Sequence, residues 1–186
     1  MDEKILKYYS RKDVQKKILE SAKDREVGIK YGLDGGFGKR PDVLQFENDI
    51  FELAKNGATS FHVSEERWKN PLLLQTGMKK SKMDELKIGW DAIFDVDCKF
   101  LEYSKITAEL LIEALKFHNI ENIGLKFSGG SGMHIGIPFE SFPITVDNKE
   151  TRLLFPEGVR VLAEYLKNMI KTPLSEKILS LSEIGD

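Results

Sequence analysis

The chain has 186 residues, enough for one well-formed core or two small subdomains. Hydrophobic residues make up 41% and charged residues 31%, a globular composition that excludes a disordered chain. The formal net charge of −2 excludes a globally basic nucleic-acid binder, so any such binding has to come from a local patch.

The N-terminus, Met1-Asp2-Glu3-Lys4, is charged and lacks the apolar run of a secretory signal. Residues 2 to 25 then read as one amphipathic helix, with Ile5, Leu6, Tyr9, Val14, Ile18 and Leu19 at helical spacing. A short strand follows over Val27 to Tyr31. The loop from Gly32 through Leu33 and Asp34 to Pro41 is glycine-rich and closed by proline. Glu47 to Lys55 reads as a short helix and Thr59 to Val63 as a strand. The strongest strand pattern is Ile88 to Asp97, followed by a helix over Ile106 to Phe117. Asn122 to Phe127 and Met133 to Ile137 read as two strands around a loop of serine and glycine. Glu157 to Ile170 is a helix entered through Pro156. Leu174 to Leu181 is a separate helical stretch. Strands alternating with helices give an α/β or α+β fold, with a mixed or antiparallel sheet flanked by helices.

No stretch approaches the roughly 18 to 20 apolar residues a membrane crossing requires, so membrane association is not expected. The single Cys98 excludes an internal disulfide and a multi-cysteine zinc site, so no zinc is expected. A lone thiol fits a reducing, cytoplasmic or otherwise intracellular setting.

Two segments carry chemistry. In Phe94-Asp95-Val96-Asp97 the acids are two residues apart on a strand, so Asp95 and Asp97 share one face while Phe94 and Val96 take the other. Neighbouring carboxylates repel unless a cation lies between them. Mg²⁺ or Mn²⁺ favours such oxygen ligands, with substrate phosphates completing the shell. The plain alternative is a strand end reaching solvent. The second segment is Ser128-Gly129-Gly130-Ser131-Gly132-Met133-His134. Its glycines let backbone amides approach phosphate oxygens. On the strand that follows, Met133, Ile135 and Ile137 form an apolar face and His134 points the other way, where it can donate to a triphosphate. The plain alternative here is a tight hairpin turn with an incidental histidine. Neither glycine cluster fits a P-loop, and the loop also fails G-x-S-x-G, because Met133 stands where the last glycine belongs.

The order FDVDC, helix, KFSGGSGMHI resembles the archaeo-eukaryotic primase superfamily, in particular the small catalytic subunit of DNA primase. DREVGI (Asp24 to Ile29) and TSFHVSEERWKNP (Thr59 to Pro71) extend the resemblance, which covers roughly Arg25 to Phe142 within a single primase-like domain spanning 1–186. The resemblance implies a primase core-like fold lacking the C-terminal part of the full family fold. It implies metal-dependent nucleotide polymerisation from nucleoside triphosphates, making primers in replication or repair. Asp95 and Asp97 would be catalytic metal ligands for Mg²⁺ or Mn²⁺. Ser128, Gly129, Gly130, Ser131, Gly132 and His134 would contact the nucleotide's phosphates, with Arg25 a further contact. The implied partners are a single-stranded DNA template and a large primase subunit, in a prokaryotic, archaeal setting.

Three departures bear on this. Gly130 and Ser131 stand where the family usually has two arginines, leaving Lys126, Lys39 and Arg40 as candidates to compensate. The family's zinc-binding element has no counterpart. No late aspartate is evident: Asp147, in ITVDNKE, follows a plausible strand but comes early. These departures keep open a catalytically incomplete nucleotide- or nucleic-acid-binding subunit of the same fold. A haloacid-dehalogenase-like phosphohydrolase, with Asp95 as nucleophile and Ser128 on the phosphate, is a third reading. Lys99 departs from its usual pattern. Lys79, Lys80 and Lys82 could touch a nucleic-acid backbone or simply form a solvated loop.

Overall fold

The computed structural model describes residues 3–32 and 35–184, with side chains as far as Leu181. Leu33 and Asp34 of the first glycine-rich loop, Met1 and Asp2 of the charged N-terminus, and the terminal Gly185 and Asp186 lie outside the described residues. The chain divides into two compact units, one ending at Gly89 and the other beginning at Trp90. The fold is α+β, built from helices and small antiparallel sheets.

In the first unit the expected single N-terminal helix is two: α1 (Glu3–Tyr9) and α2 (Lys12–Ala22). The break falls at Ser10 and Arg11. Arg11 is extended, with φ −69° and ψ 126°, and the buried Gln15 amide donates to the Tyr9 carbonyl at 2.8 Å. The apolar spacing runs across the break because both helices face one core, so periodicity alone does not show it. Strand β1 (Val27–Tyr31) follows, then α3 (Glu47–Lys55) and β2 (Ala58–Val63). Asp49 closes the start of α3 by accepting the Phe46 amide at 2.8 Å. β1 and β2 pair antiparallel, Val27 opposite Val63 and Lys30 opposite Ser60. Tyr9, Val14, Val27, Ile29, Ile50 and Ala54 are among the buried residues of this unit's core. Strand β3 (Glu66–Trp68), helix α4 (Lys80–Leu86) and strand β4 (Lys87–Trp90) complete the run, with β3 and β4 paired. The Lys87 ammonium is buried; it pairs with Glu66 and lies over the Trp68 ring. That pairing offsets part of the cost of taking the charge out of water.

The expected continuous strand from Ile88 to Asp97 is interrupted at Asp91, so β5 covers Ala92–Val96. Asp91 lies outside the ladder, and its carboxylate accepts the Phe139 amide at 3.0 Å. Helix α5 (Leu101–Phe117) begins earlier than its apolar stripe, with β6 (Gly124–Phe127) and β7 (Met133–Ile137) after it. The sheet order is β5-β7-β6, antiparallel throughout. A two-residue hairpin joins β8 (Thr145–Val146) to β9 (Lys149–Glu150). Its turn places Asp147 at φ 48° and Asn148 at φ 61°. This left-handed pair suits Asp and Asn, and gives Asp147 a turn-forming role.

The last helix, α6 (Glu157–Ile184), continues through Pro173, where the sequence suggests two pieces. α5 packs against β5 and β7, and α6 against β5 and α5. Phe94, Ile135, Ile137, Leu115, Leu166 and Ile170 are central to the buried core beneath the sheet. The Trp90 indole donates to the Thr151 carbonyl at 2.9 Å and packs on Phe139 and Phe142, which fixes the segment after β7 to this core. Among the described residues no helix is long and apolar enough to cross a membrane.

Candidate functional site

Strand alternation and ladder register assign the polar face of the second unit's sheet. Ile135 is flanked by Phe94 and Leu125, and Met133 by Val96 and Phe127, so the apolar side chains share one side. Asp95 pairs with His134, and His134 with Lys126, so these three form a row across the opposite side. The row is accessible: Asp95 and Lys126 are exposed and His134 is half-buried. His134 Nε2 lies 3.4 Å from Asp95 Oδ1. A carboxylate, an imidazole and an ammonium thus stand side by side across the three strands.

Asp97 lies one residue past the end of β5 and is also exposed. The glycine loop meets it there. The Ser131 hydroxyl donates to the Cys98 carbonyl at 2.5 Å, and the Ser128 amide donates to the Gly132 carbonyl at 3.0 Å. A side chain at Gly132 would place its Cβ 2.9 Å from Ser128 Oγ, 3.1 Å from the Val96 carbonyl oxygen and 3.5 Å from Asp97 Oδ1. Glycine at 132 is therefore what allows the loop to lie against β5 beside the second carboxylate. Gly129 has φ 98°, a left-handed conformation that favours glycine. The amides of Gly129, Gly130 and Ser131 donate to no protein acceptor among the described residues, and Gly129 and Gly130 are exposed. Such a run of free N–H groups suits an anion.

The structure therefore brings Asp95, Asp97, Ser128, Gly129, Gly130, Ser131, Gly132 and His134 to one end of one sheet. Arg25 belongs to the first unit. It is buried, and its Nη1 donates to the carbonyls of Ser64 at 2.7 Å and Glu65 at 3.0 Å, which gives it a structural task. Of the cations considered as substitutes for the family's arginine pair, Lys126 joins the row. Arg40, in the first unit, makes a two-bond contact with the Glu26 carboxylate, and that contact holds the guanidinium above its usual pKa. Lys80 and Lys82 pair with Asp84 and Glu85 on α4.

Sequence reasoning does not find the cations of α6. A cleft of about 850 Å³ lies alongside β5, lined by Asp95 and Asp97 and by Arg160, Lys167 and Lys171. No local motif marks these residues. Their spacing at i, i+7 and i+11 places them on one helical face, and this is the signal that carries them.

The acidic donor set is all oxygen and accessible, which fits a hard divalent ion that keeps water and phosphate in its shell. Among the described residues no three His, Cys, Asp or Glu side chains gather closely enough to enclose a metal ion by themselves.

No family model matches the chain, and no curated protein matches it. Among solved structures it is similar to the polymerase domain of Ligase D from Mycobacterium tuberculosis in complex with DNA, with a TM-score of 0.58 and 16% identity. The alignment covers 90% of this chain and 63% of that one, so the chain spans less than two thirds of that neighbour's length. At this identity the likeness concerns architecture: the chain has a polymerase-domain-like α+β fold.

Proposed function

We propose that the protein is a primase-like nucleotidyltransferase that binds a nucleoside triphosphate and transfers its nucleotide to a nucleic-acid end, with single-stranded DNA as template. The observation that carries this reading is the convergence of Asp95, Asp97, the glycine loop and His134 on one accessible end of a sheet. The fold likeness to a polymerase domain in complex with DNA supports the substrate class.

Asp95 and Asp97 are the residues that would hold Mg²⁺ or Mn²⁺, which supplies charge neutralisation for phosphoryl transfer when bound. The free amides of Gly129, Gly130 and Ser131 orient phosphate oxygens beside Asp97. A ring N–H of His134 donates to the same phosphates, with the Asp95 carboxylate beside the ring. Lys126, next in the row on β6, adds a positive charge beside His134 that partly compensates for the arginines the loop lacks. Catalysis in this reading rests on positioning and electrostatics.

The test is nucleotide binding titrated with and without Mn²⁺. Wild type binds more tightly with the ion, and Asp95→Ala/Asp97→Ala loses that gain, weakening by roughly tenfold or more, or about 1.4 kcal/mol per factor of ten. Equal ion-dependent binding by both proteins defeats the metal assignment.

A second reading is a nucleotide- or nucleic-acid-binding subunit whose carboxylate set is incomplete. It is favoured by the absence, among the described residues, of any three-residue ligand cluster. Template-directed primer extension by the chain alone excludes it, while ion-dependent binding without extension selects it.

A further inference from the structure

The loop from Ser128 to Gly132 joins β6 to β7 just beyond the pair Phe127 and Met133, and Met133 pairs on its other side with Val96 at the end of β5. The two serines of this loop are held differently. Ser131 is half-buried, and its hydroxyl donates to the carbonyl of Cys98, the residue directly after Asp97. That bond reaches sideways from the loop to the backbone that carries the second carboxylate. The Ser128 hydroxyl has no hydrogen-bond partner among the described residues, although the Ser128 amide donates to the Gly132 carbonyl. A hydroxyl has one proton to give. Because a carbonyl oxygen only accepts, the Ser131 proton is committed to Cys98, and the lone pairs that remain repel a phosphate. The Ser128 proton is uncommitted. One serine of the loop can therefore donate from its side chain to an anion, and the other cannot.

We propose that Ser131 is a positioning residue: its hydroxyl ties the phosphate-binding amides of Gly129, Gly130 and Ser131 to the strand end that carries Asp97, and so couples the cation site to the phosphate site, while Ser128 supplies the loop's side-chain phosphate donor. This assignment rests on the nucleotide reading above. The tie matters because little else draws the loop sideways. Nothing lies within 4 Å of a Cβ built on Gly129 or on Gly130, so this part of the loop has open space around it. The missing side chain of Gly132 permits a close approach to the Val96 carbonyl but supplies no attraction that enforces it. The Ser131 bond supplies that attraction. A phosphate shared between loop amides and an ion at Asp95 and Asp97 has to satisfy both at once, and small hard cations tolerate little error in ligand placement. A constellation of this kind works only when held to within about 0.5 Å. A loop released from Cys98 still offers its amides to phosphate, but no longer in register with the carboxylates.

The experiment has two arms on the full chain. In the first, ATP binding is titrated with and without Mn²⁺ for wild type, Ser131→Ala, Ser131→Thr and Ser128→Ala. Ser131→Ala keeps its ion-free affinity and loses roughly fivefold of the gain that Mn²⁺ brings, the scale of one ordinary hydrogen bond. By linkage, the gain that ATP brings to Mn²⁺ affinity falls by the same factor. Ser131→Thr, which keeps the hydroxyl, retains the gain. Ser128→Ala weakens ATP equally with and without the ion. In the second arm, amide exchange is followed in chelator without nucleotide. Ser131→Ala speeds exchange of the Ser128 amide, which closes the loop on Gly132, by about fivefold, while the Ile135 amide at the centre of β7 exchanges as in wild type and reports an intact fold. An undiminished Mn²⁺ gain in Ser131→Ala overturns the proposal, as does a threonine that fails to restore it. Equal weakening with and without the ion also overturns it, since the hydroxyl would then be a phosphate ligand. A Mn²⁺ gain in wild type with no release of the Ser128 amide places the fault in the tie to Cys98. A wild type with no Mn²⁺ gain, but with that release in Ser131→Ala, places it in the nucleotide reading and removes the coupling role with it.

Discussion

At Gly132 the loop and strand β5 come as close as a hydrogen atom permits. The added methyl of Gly132→Ala meets a hydroxyl at 2.9 Å and the Val96 carbonyl oxygen at 3.1 Å. The hydroxyl of Ser128 can rotate away, but Val96 is held in the ladder with Met133. The loop must therefore shift away from Asp97. Gly132→Ala should lower stability by about 1–3 kcal/mol, as overpacking typically does, and weaken ion-dependent nucleotide binding. Gly130 is the internal control, since nothing lies within 4 Å of a Cβ built there. Equal denaturant midpoints for Gly132→Ala and Gly130→Ala would show that the loop is not seated on β5 as described. The roles of these two glycines are invisible in the sequence, where they look alike. Asp95 and His134 were legible as a shared face because alternation follows from strand geometry alone, whereas Asp97 lies one residue past the strand. The engagement of Arg25 by two carbonyls was not legible, because those carbonyls come from residues about forty positions away.

Among the elements, the sequence reading and the structure agree best where one element carries a full apolar pattern. β1, α3 and β7 have the bounds read from the chain. They part where a local signal competes with packing. An apolar run from Ile88 to Asp97 reads as one strand, and only the long-range bond between Asp91 and Phe139 reveals the interruption. Proline at 173 reads as a stop, yet α6 runs through it. The apolar positions Leu166, Ile170 and Leu174 straddle the proline and keep one face on the core, which outweighs the lost bond. That loss is still present: Pro173 has no N–H for the Met169 carbonyl. Pro173→Ala should therefore raise the denaturant midpoint, by about 1–2 kcal/mol after allowing for the greater freedom it gives the unfolded chain. A lower midpoint would mean that the unfolded-state term dominates and that the helix tolerates the proline without cost.

For the molecule as a whole, the decisive feature is the presence of two hydrophobic clusters, one in each compact unit. Composition and length allowed one core or two, and no linker of glycine, proline or serine marks the division at Gly89 and Trp90. The signal is absent because the chain passes from one unit to the next along adjacent strand residues. Each cluster has a fully buried aliphatic centre: Ile50 in the first and Leu115 in the second, both at 0% exposure. Truncating either to alanine removes apolar burial and leaves a cavity, a loss of about 2–5 kcal/mol. If each cluster holds its own unit together, Ile50→Ala and Leu115→Ala act on different parts of the melt. Amide hydrogen exchange resolves this: Ile50→Ala should speed exchange in β1, β2 and α3 while leaving α5 and β7 near wild type, and Leu115→Ala should do the reverse. Uniform acceleration across the chain in both variants would show that the two clusters unfold as one cooperative core.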